Sequence, residues 1–269
     1  MPRAVAVYRR GSEAAQVRSL AAAMGLFSVL PVPNPEQVDR AQARRAMLAF
    51  PWLGLLLGSL AAACYFAAAW RGAPVLGAVL ALAALAGLTG ALHLDGVADT
   101  ADGLGSRKPA PQALEIMRRS DIGPMGVVAL LAVLGTQAAA LLSIDGTWTR
   151  VAALACAPML SRACVTVVTT GDRFARSGGF GALFRAVTPK LGAGIDAALV
   201  ALVAFGLGWL TGGWAGLIAF GVAAAVAVLA ASLWGSHLVR RIGGWTGDLF
   251  GSLIEVTAMV FLATVALIG

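Results

Sequence analysis

The feature that most constrains this chain is a series of seven apolar runs, each about 20 residues long. A helix of that length crosses the hydrocarbon core of a bilayer, and the alternating pattern of a membrane β-barrel strand is absent from the sequence. The runs cover residues 46–70, 74–92, 126–142, 151–170, 193–210, 214–235 and 249–268. They predict an all-α, polytopic helical integral membrane protein with about seven transmembrane helices.

Composition agrees with this interpretation, because 59% of the 269 residues are hydrophobic and only 12% are charged. A soluble domain carries about 25% charged residues. A shorter apolar run, residues 20–30, ends at a proline-rich stretch and is too short to cross a bilayer as a helix. We interpret it as an N-terminal interfacial or re-entrant helix, and residues 1–269 as a single integral membrane domain in the lipid bilayer.

Basic residues are distributed unequally between the connections. Thirteen lysines and arginines lie in one set of connections, whereas the intervening set carries only Arg71 and Arg150. The basic set comprises residues 34–45, 93–125, 171–192 and 236–248. The positive-inside rule places this set in the cytoplasm and explains the net charge of +7 without a nucleic-acid partner. We therefore expect active-site loops in the three later connections, facing the cytoplasm.

Three aspartates, Asp95, Asp99 and Asp102, lie at positions i, i+4 and i+7 around the end of the second run. On a helix this spacing places them on one face, where like charges repel and weaken an unliganded helix. A divalent cation reverses that effect, and Mg²⁺ takes one or two carboxylates together with substrate phosphates. The cluster therefore predicts a magnesium site, the alternative being helix caps and solvated charges. His93 is either a general base, a substrate contact or an interfacial hydrogen-bonding residue.

Two basic segments offer phosphate contacts. Arg118 and Arg119, followed by Ser120, precede the third run, and Arg176 lies in a glycine-rich basic connection. Guanidinium groups bind phosphate oxygens in a forked geometry, and glycine-rich loops present backbone N–H groups to phosphates. The alternative for the paired arginines is anchoring at the cytoplasmic surface.

Two charged residues lie deeper in the apolar runs. Arg162, in the middle of the fourth run, requires a partner inside the bundle, either an acid of the site or a substrate phosphate. Glu255 lies seven residues after Asp248, so on a helix the two share one face. Asp248 is either a fourth carboxylate of the site or the N-cap of the last span.

Several segments, taken in order, resemble one known family. They are Leu30-Pro31-Val32-Pro33, Phe50-Pro51-Trp52-Leu53-Gly54, Leu92-His93-Leu94-Asp95-Gly96-Val97-Ala98-Asp99-Thr100-Ala101-Asp102-Gly103, Ile116-Met117, Ile122-Gly123 and Gly243-Gly244-Trp245-Thr246-Gly247-Asp248. Over nearly its whole length the chain resembles the cobalamin synthase family, the adenosylcobinamide-GDP ribazoletransferases. Arg119-Ser120-Asp121 departs from the family pattern, in which an acid precedes the serine and an arginine follows it.

The resemblance implies the last assembly step of cobalamin biosynthesis at the cell inner membrane. α-Ribazole, or its 5′-phosphate, attacks adenosylcobinamide-GDP at the phosphorus that carries the cobinamide, and GMP leaves. Mg²⁺ on Asp95, Asp99 and Asp102 is the implied cofactor, and His93 and Asp248 are the implied catalytic residues. The implied substrate contacts are Arg118, Arg119, Ser120, Arg162, Arg176, Thr246 and Glu255. Self-association and contacts with other enzymes of the pathway stay open.

Two other functions compete with this one. A CDP-alcohol phosphatidyltransferase is also rich in aspartate, but its motif has an arginine after the alanine, where this chain has Asp99 after Ala98. A membrane transporter would use acids deep in the bundle, whereas most acids here lie at the ends of spans. The seven runs also do not divide into two matching halves, as many transporters do.

Overall fold

The computed structural model of the chain describes residues 19–32, 38–119, 121–175, 178 and 180–269. The regular elements in these ranges are helices, apart from an isolated β-bridge between Phe174 and Trp245. The helices are α1 (residues 19–27), α2 (Arg40–Trp70), α3 (Pro74–Leu88), α4 (Leu92–Gly105), α5 (Ala110–Ile116), α6 (Pro124–Ser143), α7 (Thr147–Val168), the 3-10 helix η1 (Phe180–Phe184), α8 (Lys190–Ile242) and α9 (Gly247–Ile268). The prediction of an all-α fold is confirmed.

Five of the helices are long and apolar enough to cross a membrane, namely α2, α6, α7, α8 and α9. A sixth span results if α3 and α4 are counted together as one bent span. These helices confirm the prediction of a polytopic helical membrane protein. The number seven stays a prediction, since it depends on how the bent elements sit in the bilayer.

α3 covers most of the run predicted as a span at residues 74–92, and α4 continues from it in a different direction. α3 ends at Leu88, and α4 begins at Leu92 after a bend of 89°. Gly90 and Ala91 at the bend have φ angles of +59° and +58°, a left-handed conformation that costs alanine more than glycine. Hydropathy reports which residues avoid water but not the direction of the chain, so it did not predict the bend. The span at residues 74–92 stays a prediction.

α8 is 53 residues long, about 80 Å as a straight helix, which is more than twice the thickness of the hydrocarbon core. Gly213 interrupts it with non-helical angles, φ +58° and ψ −137°, and the two arms fold against each other. Gly208 lies against the backbone of Gly216, and the ring of Phe205 lies against Gly221. The two arms correspond to the two separate runs predicted for this segment.

α7 is the most buried of the long helices and packs along α2. Gly54 and Gly58 of α2 approach the backbone of Pro158 and Leu154 so closely that a side chain would not fit between them. Small residues at such crossings let helix backbones approach each other, and in lipid this close packing drives helix association. The α2–α7 contact forms the centre of the bundle.

Arg150 closes the end of the bundle that lies away from α4. Its Nη1 donates a hydrogen bond to the hydroxyl of the fully buried Tyr65 (2.9 Å), and its Nε donates to the carbonyl oxygen of Ile144 (2.6 Å). Nη2 donates to the carbonyl oxygen of Leu142 (3.3 Å). A cation at the carboxyl end of α6 is favoured by the helix dipole, so Arg150 ties α6, α7 and α2 together.

The opposite end, here called the site side, gathers α4, α5 and the connections before and after α8. Trp245 donates its backbone N–H to the carbonyl oxygen of Arg173 (2.8 Å), and Arg241 donates to the carbonyl oxygen of Lys108 (3.0 Å). The three connections predicted as active-site loops therefore meet in space. Residues 93–125 are largely helical rather than a loop, because α4 and α5 lie within them.

α1 packs on the site side. The ring of Phe27 lies 4.3 Å from that of Phe50 and 5.5 Å from that of Phe184, measured between centroids. The N–H of Val29 donates to the carbonyl oxygen of Leu88 (2.9 Å). The described part of this helix is too short to cross a bilayer. Its interfacial or re-entrant position stays a prediction.

Candidate active site

α4 has two chemically different faces. The helix extends over Leu92–Gly105, and at about 100° per residue Asp95, Asp99 and Asp102 lie on one face, as the sequence predicts. Asp95 is exposed, and the other two aspartates are half-buried. His93 lies on the opposite face and is only 4% exposed. His93 therefore points into the bundle, away from the aspartates.

Asp102 binds the first turn of α6. Its Oδ2 accepts the N–H of Gly123 (2.7 Å), and its Oδ1 accepts the N–H of Gly126 (2.9 Å). The first N–H groups of a helix have no intrahelical partner, and a negative charge is favoured near them. A Cβ at Gly123 would lie 2.5 Å from this carboxylate, so the contact requires glycine there. Asp102 thus caps α6, which is the alternative that the sequence left open for these aspartates.

α4 crosses the beginning of α9 at two glycines. A Cβ at Gly96 would lie 2.5 Å from the carbonyl oxygen of Asp248 and 3.0 Å from Cα of Gly251. The hydroxyl of Thr100 donates to the same carbonyl oxygen (3.5 Å). The backbone of Asp248 therefore adjoins the helix that carries the other aspartates. The role of its side chain as a fourth carboxylate of the site stays a prediction.

Thr246, which the family resemblance implies as a substrate contact, is 3% exposed and is the N-cap of α9. Its hydroxyl oxygen accepts the N–H of Leu249 (3.3 Å), and the hydroxyl donates to Oδ2 of Asp248 (3.3 Å). The N-cap is therefore Thr246 and not Asp248, which lies in the first turn. Thr246 orients the carboxylate of Asp248.

The turn that precedes Thr246 is held by the connection before η1. Gly243 ends α8 in a left-handed conformation with φ of +94°. Trp245 then pairs with Phe174 in a parallel bridge. At Gly244 a Cβ would lie 2.6 Å from the carbonyl carbon of Phe174, so the bridge leaves room for glycine only. These contacts fix the position at which α9 begins.

The predicted phosphate-binding residues lie in different environments. Arg118 and Arg119 follow α5 on the site side, and both are exposed. Arg162 is buried in the bundle. Ser120 and Arg176 lie outside the described residues, so the predictions for them stay predictions.

A line of polar residues, of which Arg162, His93 and Gln137 are buried and Glu255 is half-buried, lies against the inward face of α4 and is here called the buried polar chain. Nη2 of Arg162 is 3.4 Å from Nδ1 of His93, and Nδ1 is 3.8 Å from Oε1 of Glu255. Nε2 of Gln137 donates to Oε2 of Glu255 (2.9 Å). The four residues belong to four helices, in the order α7, α4, α9 and α6. Gln137 was missed in the sequence, although a polar residue in an apolar run marks such a position.

The buried polar chain borders a cavity whose other walls are mainly apolar residues of α3, α6, α7 and α9. Arg162 also donates to the carbonyl oxygen of Pro158 (3.0 Å), and its guanidinium lies 5.4 Å from the ring centroid of Phe50. Nε2 of His93 and Nε of Arg162 find no hydrogen-bond partner among the described residues. The structure brings His93, Arg162 and Glu255 together, but on the face of α4 opposite to the aspartates.

In the described ranges, no group of three or more His, Cys, Asp or Glu side chains is arranged to hold a metal ion by itself. The donor chemistry on α4 nevertheless suits Mg²⁺, which needs only one or two carboxylates beside water and substrate phosphates. Asp95 and Asp99, one helical turn apart on the same face, fit that requirement. Asp102 fits it less well, because both its oxygens already accept N–H groups of α6.

The fold places the chain in the class of polytopic helical membrane proteins. Its candidate site lies where a short acidic helix crosses the beginning of the last span. A protein-family model described as cobalamin-5-phosphate synthase matches residues 19–266. The chain belongs to this family, which confirms the resemblance inferred from its motifs.

Curated relatives match over most of the chain, and each is named adenosylcobinamide-GDP ribazoletransferase. The protein of Frankia casuarinae is 37% identical over 258 residues, which cover 91% of this chain and 93% of the relative. That of Roseiflexus sp. is 35% identical over 246 residues (91% and 88%), and that of Citrobacter koseri is 36% identical over 251 residues (90% and 96%). No solved structure matches the chain.

Proposed function

We propose that this chain transfers the adenosylcobinamide-phosphate group of adenosylcobinamide-GDP to α-ribazole, or to its 5′-phosphate, and releases GMP. Relatives that carry the name of this activity align with 90–91% of the chain. The observation that carries the proposal is the crossing of α4 and α9, which brings the helix of Asp95 and Asp99 against the segment of Asp248.

The reaction exchanges one bond at phosphorus for another. A hydroxyl oxygen of α-ribazole bonds to the phosphorus that carries the cobinamide, and the bond from this phosphorus to the bridging oxygen breaks. GMP leaves with the bridging oxygen, and the hydroxyl proton passes to a base. The site must neutralise the negative charge of the diphosphate and of the leaving GMP. Asp95 and Asp99 would hold Mg²⁺, whose contribution when bound is this neutralisation.

We assign the proton transfer to a carboxylate of the site and not to His93. His93 lies on the far face of α4, between Arg162 and Glu255, and this placement separates it from the aspartates. Asp248 lies in the first turn of α9 at the crossing and is oriented by Thr246. A base must lie within hydrogen-bond reach of the proton that it accepts, so Asp248 is the better candidate.

We further propose that the site side faces the cytoplasm and that the protein resides in the cell inner membrane. Arg71 ends α2 and Arg150 begins α7 at the other end of the bundle. Exposed cations on the site side are far more numerous: Arg40, Arg44, Arg45, Arg107, Lys108, Arg118, Arg119, Arg173, Lys190 and Arg240. This distribution supports the orientation through the positive-inside rule, and the same cations suit anionic substrates.

The test uses the full chain, purified in detergent and reconstituted into lipid vesicles with adenosylcobinamide-GDP, α-ribazole and a magnesium salt. We expect GMP and a cobalamin product in equal amounts. Asp99→Asn should lower the rate by about 100-fold or more, because it removes a charge from the site. Asp145→Asn is the matched control, since Asp145 is exposed in the turn between α6 and α7.

Two outcomes would contradict the proposal. Absence of GMP with the unmodified chain would overturn the function. A wild-type rate for Asp99→Asn would leave the function in place and overturn the role given to α4.

A further inference from the structure

We propose that Gln137, Glu255 and Arg162 are positioning residues that act through His93. In this proposal the buried polar chain holds α4 in the rotation that turns Asp95 and Asp99 toward the site side. The consequence for the reaction rests on the proposed function, whereas the effect on the position of α4 does not.

His93 is the one member of the buried polar chain that belongs to α4, and it lies between a cation and a carboxylate. Its Nδ1 is 3.4 Å from Nη2 of Arg162 and 3.8 Å from Oε1 of Glu255. His93 and the aspartates lie on opposite faces of one short helix. A contact that fixes the direction of the His93 ring therefore also fixes the direction of the carboxylates.

His93 provides such a contact in the first turn of α4. The helix has 14 residues and begins after an 89° bend, so it does not continue the course of α3. Its contact with α9 runs through Gly96, Gly251 and the hydroxyl of Thr100. At the other end Asp102 binds α6, so His93 and Asp102 hold the two ends of α4.

Glu255 acts on His93 through its charge and not through a hydrogen bond, and Gln137 fixes the side chain that carries this charge. Nε2 of Gln137 donates to Oε2 of Glu255 (2.9 Å) and lies 3.4 Å from the carbonyl oxygen of the same residue. Oε1 is left to face His93. Glu255 also attracts Arg162, which is 2% exposed and whose charge would be costly inside the bundle without a counter-charge.

The first test is Gln137→Leu, which keeps a similar volume and removes the amide. Thr136→Leu is the matched control, because the neighbouring side chain on α6 is exposed. We expect Gln137→Leu to raise the Mg²⁺ concentration for half-maximal GMP release by about tenfold or more, the usual effect of losing support behind a ligand. Its midpoint of thermal unfolding in detergent should fall as well, because the carboxylate of Glu255 loses a donor. A fall in the midpoint with an unchanged Mg²⁺ requirement would show a merely structural role and overturn the proposal.

A second readout does not depend on the reaction. Val97, 4% exposed, lies on the packed side of α4 near His93 and resembles cysteine in size. Val97→Cys is placed in a chain whose three native cysteines are replaced by alanine. We expect a water-soluble maleimide to label it slowly, and severalfold faster when Gln137→Leu is added. Equal labelling overturns the proposal. Faster labelling in a chain that releases no GMP supports the positioning role even though the proposed function fails.

The third test exchanges the two residues, Gln137→Glu with Glu255→Gln. The exchange keeps the side-chain volumes, the net charge and an amide–carboxylate pair between α6 and α9, but moves the carboxylate away from His93. We expect the exchanged chain to fold and to show the Mg²⁺ requirement and Val97→Cys labelling of Gln137→Leu. Wild-type values for both would mean that the pair only ties two helices together, which overturns the role through His93.

Discussion

Gly96→Ala tests the crossing between α4 and α9 most directly. A Cβ at this position would lie 2.5 Å from the carbonyl oxygen of Asp248, whereas ordinary van der Waals contact begins at 3.4 Å. Its next neighbour, Cα of Gly251 at 3.0 Å, is also a backbone atom and cannot turn aside as a flexible side chain can. The two helices must therefore separate at this point by about 0.9 Å, the difference between 3.4 and 2.5 Å.

The separation has a cost in stability and a larger one in rate. Overpacking of this kind destabilises a fold by about 1–3 kcal/mol. A misplacement of about 1 Å lowers the rate of a catalysed step by about 100-fold. We expect Gly96→Ala to lower the midpoint of thermal unfolding in detergent and to slow GMP release by about 100-fold.

The assay follows GMP by chromatography at saturating substrate and Mg²⁺, beside the thermal midpoint of the same preparation. Gly135→Ala, on α6, is the control, because nothing lies within 4 Å of a Cβ at that position. It should keep the wild-type rate. A Gly96→Ala chain with the wild-type rate and midpoint would refute the close crossing of α4 and α9.

Two further substitutions separate structural from chemical roles. Asp102→Asn leaves one oxygen for the two N–H groups of α6, so we expect a loss of about 0.5–2 kcal/mol in stability and a rate within severalfold of wild type. A loss of rate as large as that of Asp99→Asn would instead make Asp102 a metal ligand. Arg150→Ala removes the donor to the buried hydroxyl of Tyr65 and should cost about 1–3 kcal/mol, seen as a lower thermal midpoint with an unchanged Mg²⁺ requirement. An unaltered midpoint would contradict the hydrogen bonds assigned to Arg150.

The separation of His93 from the aspartates was accessible from the sequence. His93 and Asp95 are two residues apart, which on a helix means about 200° of rotation. Their closeness in the chain nevertheless suggested one shared site. The structure shows that the two faces of α4 lie in different environments. Asp95 is exposed on one face, and His93 packs against Arg162 and Glu255 on the other.

Other features could not be predicted because they join residues that are distant in sequence. The carboxylate of Asp102 accepts N–H groups of residues 123 and 126, and no local pattern indicates that a helix begins beside it. The bend at Gly90 and Ala91 is also invisible to hydropathy, since the apolar run continues through it to Leu92. Backbone direction at such a point is decided by what the two helices pack against.

The sequence by itself determined the class of this protein. Three local properties carried this information: the apolar runs of span length, the unequal distribution of basic residues and the i, i+4, i+7 aspartates. Local properties can be read from the sequence without knowledge of the fold. Tertiary structure alone decided which groups meet. It placed Asp248 against α4, gave Asp102 to the beginning of α6 and enclosed His93 between Arg162 and Glu255. The physical reason is that these contacts depend on how closely helices approach and how they are rotated, and both are settled by packing between segments far apart in the chain.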